Sequence, residues 1–169
     1  MRIIWLGQAG FVLQSGGGAL AVDPYCGQPP DGSVRLYDPI VPKGWKEVDI
    51  AVSTHDHWDH FDVQTYEEYV IPKAIAGPGS CMKRLRASAL KDKTEAIPLD
   101  CGDTVDRCGF RLTAVYASHD RDSIGVLVEC EGATLYFSGD TLFVPMLLMM
   151  NRFKPDIAFI CINGKMGNM

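Results

Sequence analysis

Three of the four histidines in this 169-residue chain fall inside one six-residue window, His55-Asp56-His57-Trp58-Asp59-His60. With 4 histidines and 15 aspartates in 169 residues, an H-x-H-x-D-H pattern would arise by chance on the order of 2 times in 10,000. Imidazole and carboxylate together suit Zn²⁺, Mn²⁺ or Fe²⁺ and argue against Ca²⁺ or a thiolate site. At the end of an extended strand, His55 and His57 project to the same side, so both rings can reach one ion. If the chain then turns into a helix near Asp62, Asp59 and His60 are offset from the first pair and can reach a second ion. Two ions a few ångströms apart favour hydrolysis, because they deprotonate a water and polarise the group it attacks.

The elements that would carry this window can be read from hydrophobic periodicity. Strands are expected at Arg2–Leu6, Phe11–Gln14 and Ala19–Val22, with Gly16-Gly17-Gly18 turning a hairpin. The apolar run Asp49–Ser53, directly before the window, has the texture of a strand buried on both faces. Val63, Tyr66 and Val70 repeat at helical spacing, as do Met82, Leu85, Ala89 and Leu90, with a short strand at Ala74–Gly79 between them. Strands return at Phe110–Tyr116, Ile124–Glu129 and Thr134–Phe137. A very apolar helix is expected at Leu142–Asn151, with Pro145 in its first turn, and a last buried strand at Ile157–Ile162.

Composition narrows the class. The chain is 47% hydrophobic and 22% charged, which fits one globular domain over 1–169. A net charge of -5 gives no global field for nucleic acid. The apolar run Phe143 to Met150 is eight residues, too short to span a bilayer. Six scattered cysteines without a C-x-x-C pair, in a chain without an export signal, point to reduced thiols and a cytoplasmic location.

Beyond the window, His119 in Ala117-Ser118-His119-Asp120 and Asp140 in Ser138-Gly139-Asp140-Thr141 complete a pattern that resembles the metallo-β-lactamase-fold hydrolase signature, in order and over nearly the whole chain. Within that superfamily, four stretches resemble the branch of L-ascorbate-6-phosphate lactonase and its metal-dependent hydrolase relatives: 5–11, 21–25, 53–57 and 162–169. The resemblance implies an α/β fold, the four-layer αββα sandwich. It implies that His55, His57 and His119 bind a first metal, that Asp59 and His60 bind a second, and that Asp140 bridges both. Asp23 would orient the site from behind the ligands, and Asn163 would line a substrate pocket. The cofactors implied are two divalent ions, zinc first, with manganese or iron as alternatives. The reaction implied is attack of a metal-activated hydroxide on an ester, lactone, amide or phosphodiester, with Asp59 also steering protons. A small sugar acid, phosphorylated or not, is the first substrate expectation. The alternatives are a phosphodiesterase and a non-catalytic metal-binding chain completed by a partner. H-x-H-x-D-H differs from the H-x-E-x-D pattern of the diiron flavoprotein branch, which disfavours redox chemistry at iron.

The sequence departs from that signature in one respect. The resemblance implies a further second-metal histidine near the C-terminus, and no histidine follows His119. The expectation is a domain missing its C-terminal part, with a weak second metal position and with 142–150 and 157–162 exposing core-like surface that drives homo-oligomerisation. The remaining features have plainer readings. Lys83, Arg84, Arg86, Lys91 and Lys93 form a solvated helix face. Met146, Met149 and Met150 serve core packing or an interface. Asp56 and Trp58 pack or sit at the rim, and Cys26 and Cys161 are buried packing thiols.

Overall fold

The computed structural model describes residues 1–32, 34, 38–41 and 47–162. Strands β1 (Arg2–Gly7), β2 (Gly10–Ser15) and β3 (Gly18–Val22) form an antiparallel meander. Ser15 pairs with Gly18 across the turn. A Cβ on the intervening Gly17 would lie 2.8 Å from the Cys108 carbonyl oxygen, so only glycine lets the second sheet approach here. After β4 (Glu47–Val48), strand β5 (Ile50–Val52) runs parallel to β3 and ends three residues before His55. Helix α1 (Val63–Glu68) follows the histidine window.

Next come β6 (Ile71–Pro72), β7 (Ala74–Gly77), helix α2 (Gly79–Ala87) and β8 (Glu95–Pro98). The first sheet has the order β1-β2-β3-β5-β7-β8, and β4 and β6 form a separate two-stranded pair. Strands β9 (Thr104–Arg107), β10 (Phe110–Tyr116), β11 (Ile124–Cys130) and β12 (Ala133–Phe137) form the second sheet, with β13 (Ile157–Phe159) added parallel to β12 at its edge.

Side-chain alternation sorts these strands into layers. Leu20 and Val22 of β3, Ile50 and Val52 of β5, Leu112 and Ala114 of β10, and Val126 and Val128 of β11 meet in one core between the sheets. The alternate residues of the first sheet, Ala19, Ala21, Ala51 and Ile75, pack under Tyr66 of α1 and Met82 and Leu85 of α2. On the outer face of the second sheet, Val115, Leu127 and Tyr136 receive Met150. The layers are therefore helix, sheet, sheet and a final helical segment, as the four-layer reading requires.

Two expected elements differ. The segment expected as a helix at Leu142–Asn151 is a 3₁₀ helix at Pro145–Arg152 with no buried residue, because only Met150 finds the sheet. The last strand is not buried. It spans Ile157–Phe159 at the sheet edge, and Phe143, Leu148, Ile157 and Ile160 around it are exposed. Cys26 is buried as expected, and Cys161 is only half-buried. Among the described residues no helix is long and apolar enough to cross a membrane.

Candidate metal centre

The window sits in a loop at one end of the first sheet, between β5 and α1. His55 and His57 are thus not on an extended strand. The His60 and Phe61 amides both donate to the His57 carbonyl, at 3.0 and 2.8 Å, and fold the loop back on itself. From beneath, Ser53 Oγ donates to the His60 carbonyl at 2.9 Å and is itself 2.7 Å from the buried Tyr66 hydroxyl. Asp62 ends the loop by capping α1, its carboxylate accepting from the Gln64 and Thr65 amides. Arg84 leaves the solvated face expected for it: its guanidinium donates to the Asp56 carbonyl and lies 5.4 Å from the centre of the Phe61 ring.

This fold-back gives the convergence that an extended strand had been expected to give. His57 Nδ1 lies 3.0 Å from His55 Nε2 and 3.3 Å from His119 Nε2, although His119 comes from the loop after β10. One nitrogen from each of the three rings lies within 4.8 Å of the other two, close enough to share one ion. His55 Nδ1 is 3.1 Å from Thr54 Oγ1, whose own proton goes to Asp23 Oδ2 at 2.7 Å. His55 therefore donates from Nδ1, and its Nε2 is the free acceptor. Burial, reinforced by the charge of His60, pushes the His55 pKa down to about 4, so the ring is neutral.

Beside this trio lies a second cluster of His55, His60 and Asp140. Asp23 accepts from the Thr54 amide at 2.7 Å and from His60 Nδ1 at 2.9 Å, while His60 Nε2 faces Asp140 Oδ1 at 3.3 Å. Burial would lower the His60 pKa, but the Asp23 and Asp140 carboxylates more than offset it and raise the value to about 10. Asp140 reaches this place because Gly139 before it adopts φ +55 and passes Thr54 where a Cβ would lie 2.8 Å from its hydroxyl. Asp23 and Gln8 also hold positive φ, 41° and 48°, which marks two non-glycine residues beside the site as strained.

Asp59 stands slightly apart. Its Oδ2 is 3.9 Å from His60 Nε2 and accepts from Gln8 Nε2 at 2.6 Å. Asp59, His60, Asp140 and Cys161 line an open cavity of about 530 Å³, together with Phe11, Phe137 and Phe159. Burial and the facing Asp140 carboxylate push the Cys161 thiol up to about 11. Asn163 lies outside the described residues. Trp58 is a rim residue, its ring 5.2 Å from that of Tyr25.

Nitrogen and carboxylate donors in two adjacent groups, each with its ligand atoms within 4.8 Å of one another, fit divalent cations of the zinc, manganese or iron type. Sequence reasoning missed Thr54, Gln8 and Arg84. Their residue types are common, and only the fold brings them to the loop.

Comparison with known proteins agrees with this geometry. Residues 2–168 match the family described as the beta-lactamase superfamily domain. A UPF0173 metal-dependent hydrolase from Sulfurisphaera tokodaii is 32% identical over 171 residues, covering 97% of this chain and 72% of the relative. The chain belongs to the beta-lactamase superfamily and, within it, to the UPF0173 metal-dependent hydrolase family. Among solved structures, an isothiocyanate hydrolase from Delia radicum gut bacteria has the same fold, with a TM-score of 0.73 and 22% identity over 94% of this chain and 70% of that one. A metallo hydrolase from the archaeon Ignicoccus hospitalis matches with a TM-score of 0.68 and 20% identity, covering 96% of this chain and 70% of that one. The protein is a metal-dependent hydrolase by family.

Proposed function

We propose that this chain hydrolyses a small ester or lactone, with His55, His57 and His119 holding one divalent cation and His60, Asp140 and Asp59 holding a weaker second. The observation that carries this reading is the approach of His55 Nε2 and His119 Nε2 to His57 Nδ1, at 3.0 and 3.3 Å, beside the His60–Asp140 pair that lines the cavity. Cations bound there would supply Lewis acidity and an acidified water.

The chain's own groups do the rest. Asp23 and Thr54 fix the tautomers of His60 and His55, so that each presents Nε2 to the site. Gln8 holds one oxygen of Asp59, which leaves the other to take up and return a proton at the reacting group. Phe11, Phe137 and Phe159 give the cavity apolar surface for the substrate. Phe11, Phe137, Phe159 and Ile160 in the cavity lining favour an acyl substrate with an apolar part.

Asp59→Asn keeps the shape and removes the proton acceptor. It is expected to lower kcat for lactone opening by about 10²–10⁴-fold while the cation at the three histidines is retained. Full rate in the variant would sink the role of Asp59. Cleavage of bis-p-nitrophenyl phosphate without lactone opening would show a phosphodiesterase instead.

A further inference from the structure

We propose that Asp120 is the positioning residue of the first cation position: its carboxylate accepts the Nε2 proton of His57 and so turns the Nδ1 lone pair toward His55 and His119. The proposal rests on the reading of that trio as a cation site. His57 Nε2 lies 2.8 Å from Asp120 Oδ2, while its Nδ1 is the atom that faces the other two rings. One imidazole cannot offer Nδ1 as a ligand unless Nε2 carries the proton, so a carboxylate at Nε2 fixes the tautomer and raises the basicity of the ligating nitrogen.

His57 needs such a partner more than His55 does. The His55 ring is fully buried and held by Thr54, whereas the His57 side chain is 45% exposed and is gripped from outside by Asp120. Asp120 is in turn held where this requires. Its amide donates to Ser123 Oγ at 3.1 Å, and the Ser123 amide donates back to its carbonyl at 3.3 Å. The same turn is tied to the first half of the fold at two points. Asp122 Oδ2 accepts from the Ser80 amide at the start of α2, at 2.8 Å, and the Ile124 amide donates to the Thr54 carbonyl at 3.0 Å. The loop after β10 therefore delivers two groups to one point: His119 as a donor, and Asp120 as the group that aims its neighbour.

The test is cation affinity measured by competition with a chromophoric chelator, using zinc and cobalt, on the wild type, Asp120→Ala, Asp120→Asn and His57→Ala. Asp120→Ala is expected to weaken the tight site by about 10- to 100-fold and to alter the visible d–d spectrum of the cobalt protein. Asp120→Asn keeps an acceptor oxygen and is expected to recover part of that loss. The melting temperature of the chelator-treated protein should be the same in the wild type and both Asp120 variants, because the pair is half-exposed. Wild-type affinity and an unchanged cobalt spectrum in Asp120→Ala would overturn the proposal. So would a fall in the chelator-treated melting temperature that accompanies the loss of affinity, since that would mark a role in the fold. A wild type that binds no better than His57→Ala would overturn the underlying cation site, and this proposal with it.

Discussion

Asp23→Ala should melt roughly 6–20 °C below the wild type, a loss of about 3–5 kcal/mol, and should lose the second cation position. The side chains of Asp23 and His60 are only 3% and 2% exposed, so neither group regains solvent when its partner goes. One carboxylate satisfies the Thr54 amide, the Thr54 hydroxyl and His60 Nδ1 together; alanine leaves the Thr54 groups without that acceptor and His60 Nδ1 with only the Thr54 hydroxyl, 3.4 Å away. Asp23→Asn should also be destabilising, because an amide nitrogen would face one of these donors. The strained φ of 41° adds to the argument, since the backbone accepts that conformation in order to place this carboxylate. Thermal unfolding followed by circular dichroism, with and without zinc, checks the effect. A variant within 2–3 °C of the wild type, about 1 kcal/mol in a chain of this size, would contradict the account.

The protein treated with chelator is expected to be most stable near pH 6.5 and to lose stability in both directions. His60, raised to about 10 against its burial by Asp23 and Asp140, holds its proton more tightly folded than unfolded. Its contribution is fully present below pH 6.5 and is lost as pH rises toward 10. His55, lowered by burial to about 4, prefers to be neutral when folded. Its contribution is present above pH 6.5 and is lost as pH falls toward 4. For Asp140, burial pushes upward, but the hydrogen bond and charge of His60 win and lower its pKa to about 2. This adds a further loss below the ordinary carboxylate value of 3.8. Over each of these windows one proton per pH unit changes stability by about 1.4 kcal/mol, or about 3–6 °C. A cation at His60 Nε2 must displace the proton held there, so zinc binding near pH 7.5 should release about one proton from this group. Calorimetry in buffers of different ionisation heat reads that release directly. A melting temperature flat from pH 5 to 9, or zinc binding without proton release, would contradict the assignment.

Much of this was legible in the sequence because its signals are local. The His55–His60 window declares its chemistry through residue types alone. The Gly16–Gly18 hairpin, the alternation of Leu20, Val22, Ile50 and Val52, and the helical spacing of Met82 and Leu85 placed most elements correctly. What stayed hidden depends on contacts between distant segments. Asp120 and Thr54 are ordinary residues until the fold sets them beside His57 and His55. Arg84 reads as one cation among five on a polar face until its guanidinium is seen against Asp56 and Phe61. The pair β4 and β6 has two residues per strand, too few to show a period. At the end of the chain the apolar stretches 142–150 and 157–162 form a 3₁₀ helix and an edge strand in place of the expected helix and buried strand, and most of their core-like side chains are exposed, as the departure from the signature implies.

The most direct test of the central claim is the divalent metal content per chain, by elemental analysis of protein purified without chelator and of the His57→Ala variant. The account predicts two ions per chain at saturation, one tight and one weak, with the tight ion lost in His57→Ala. A wild type close to zero, or a variant that keeps as much metal as the wild type, would contradict it.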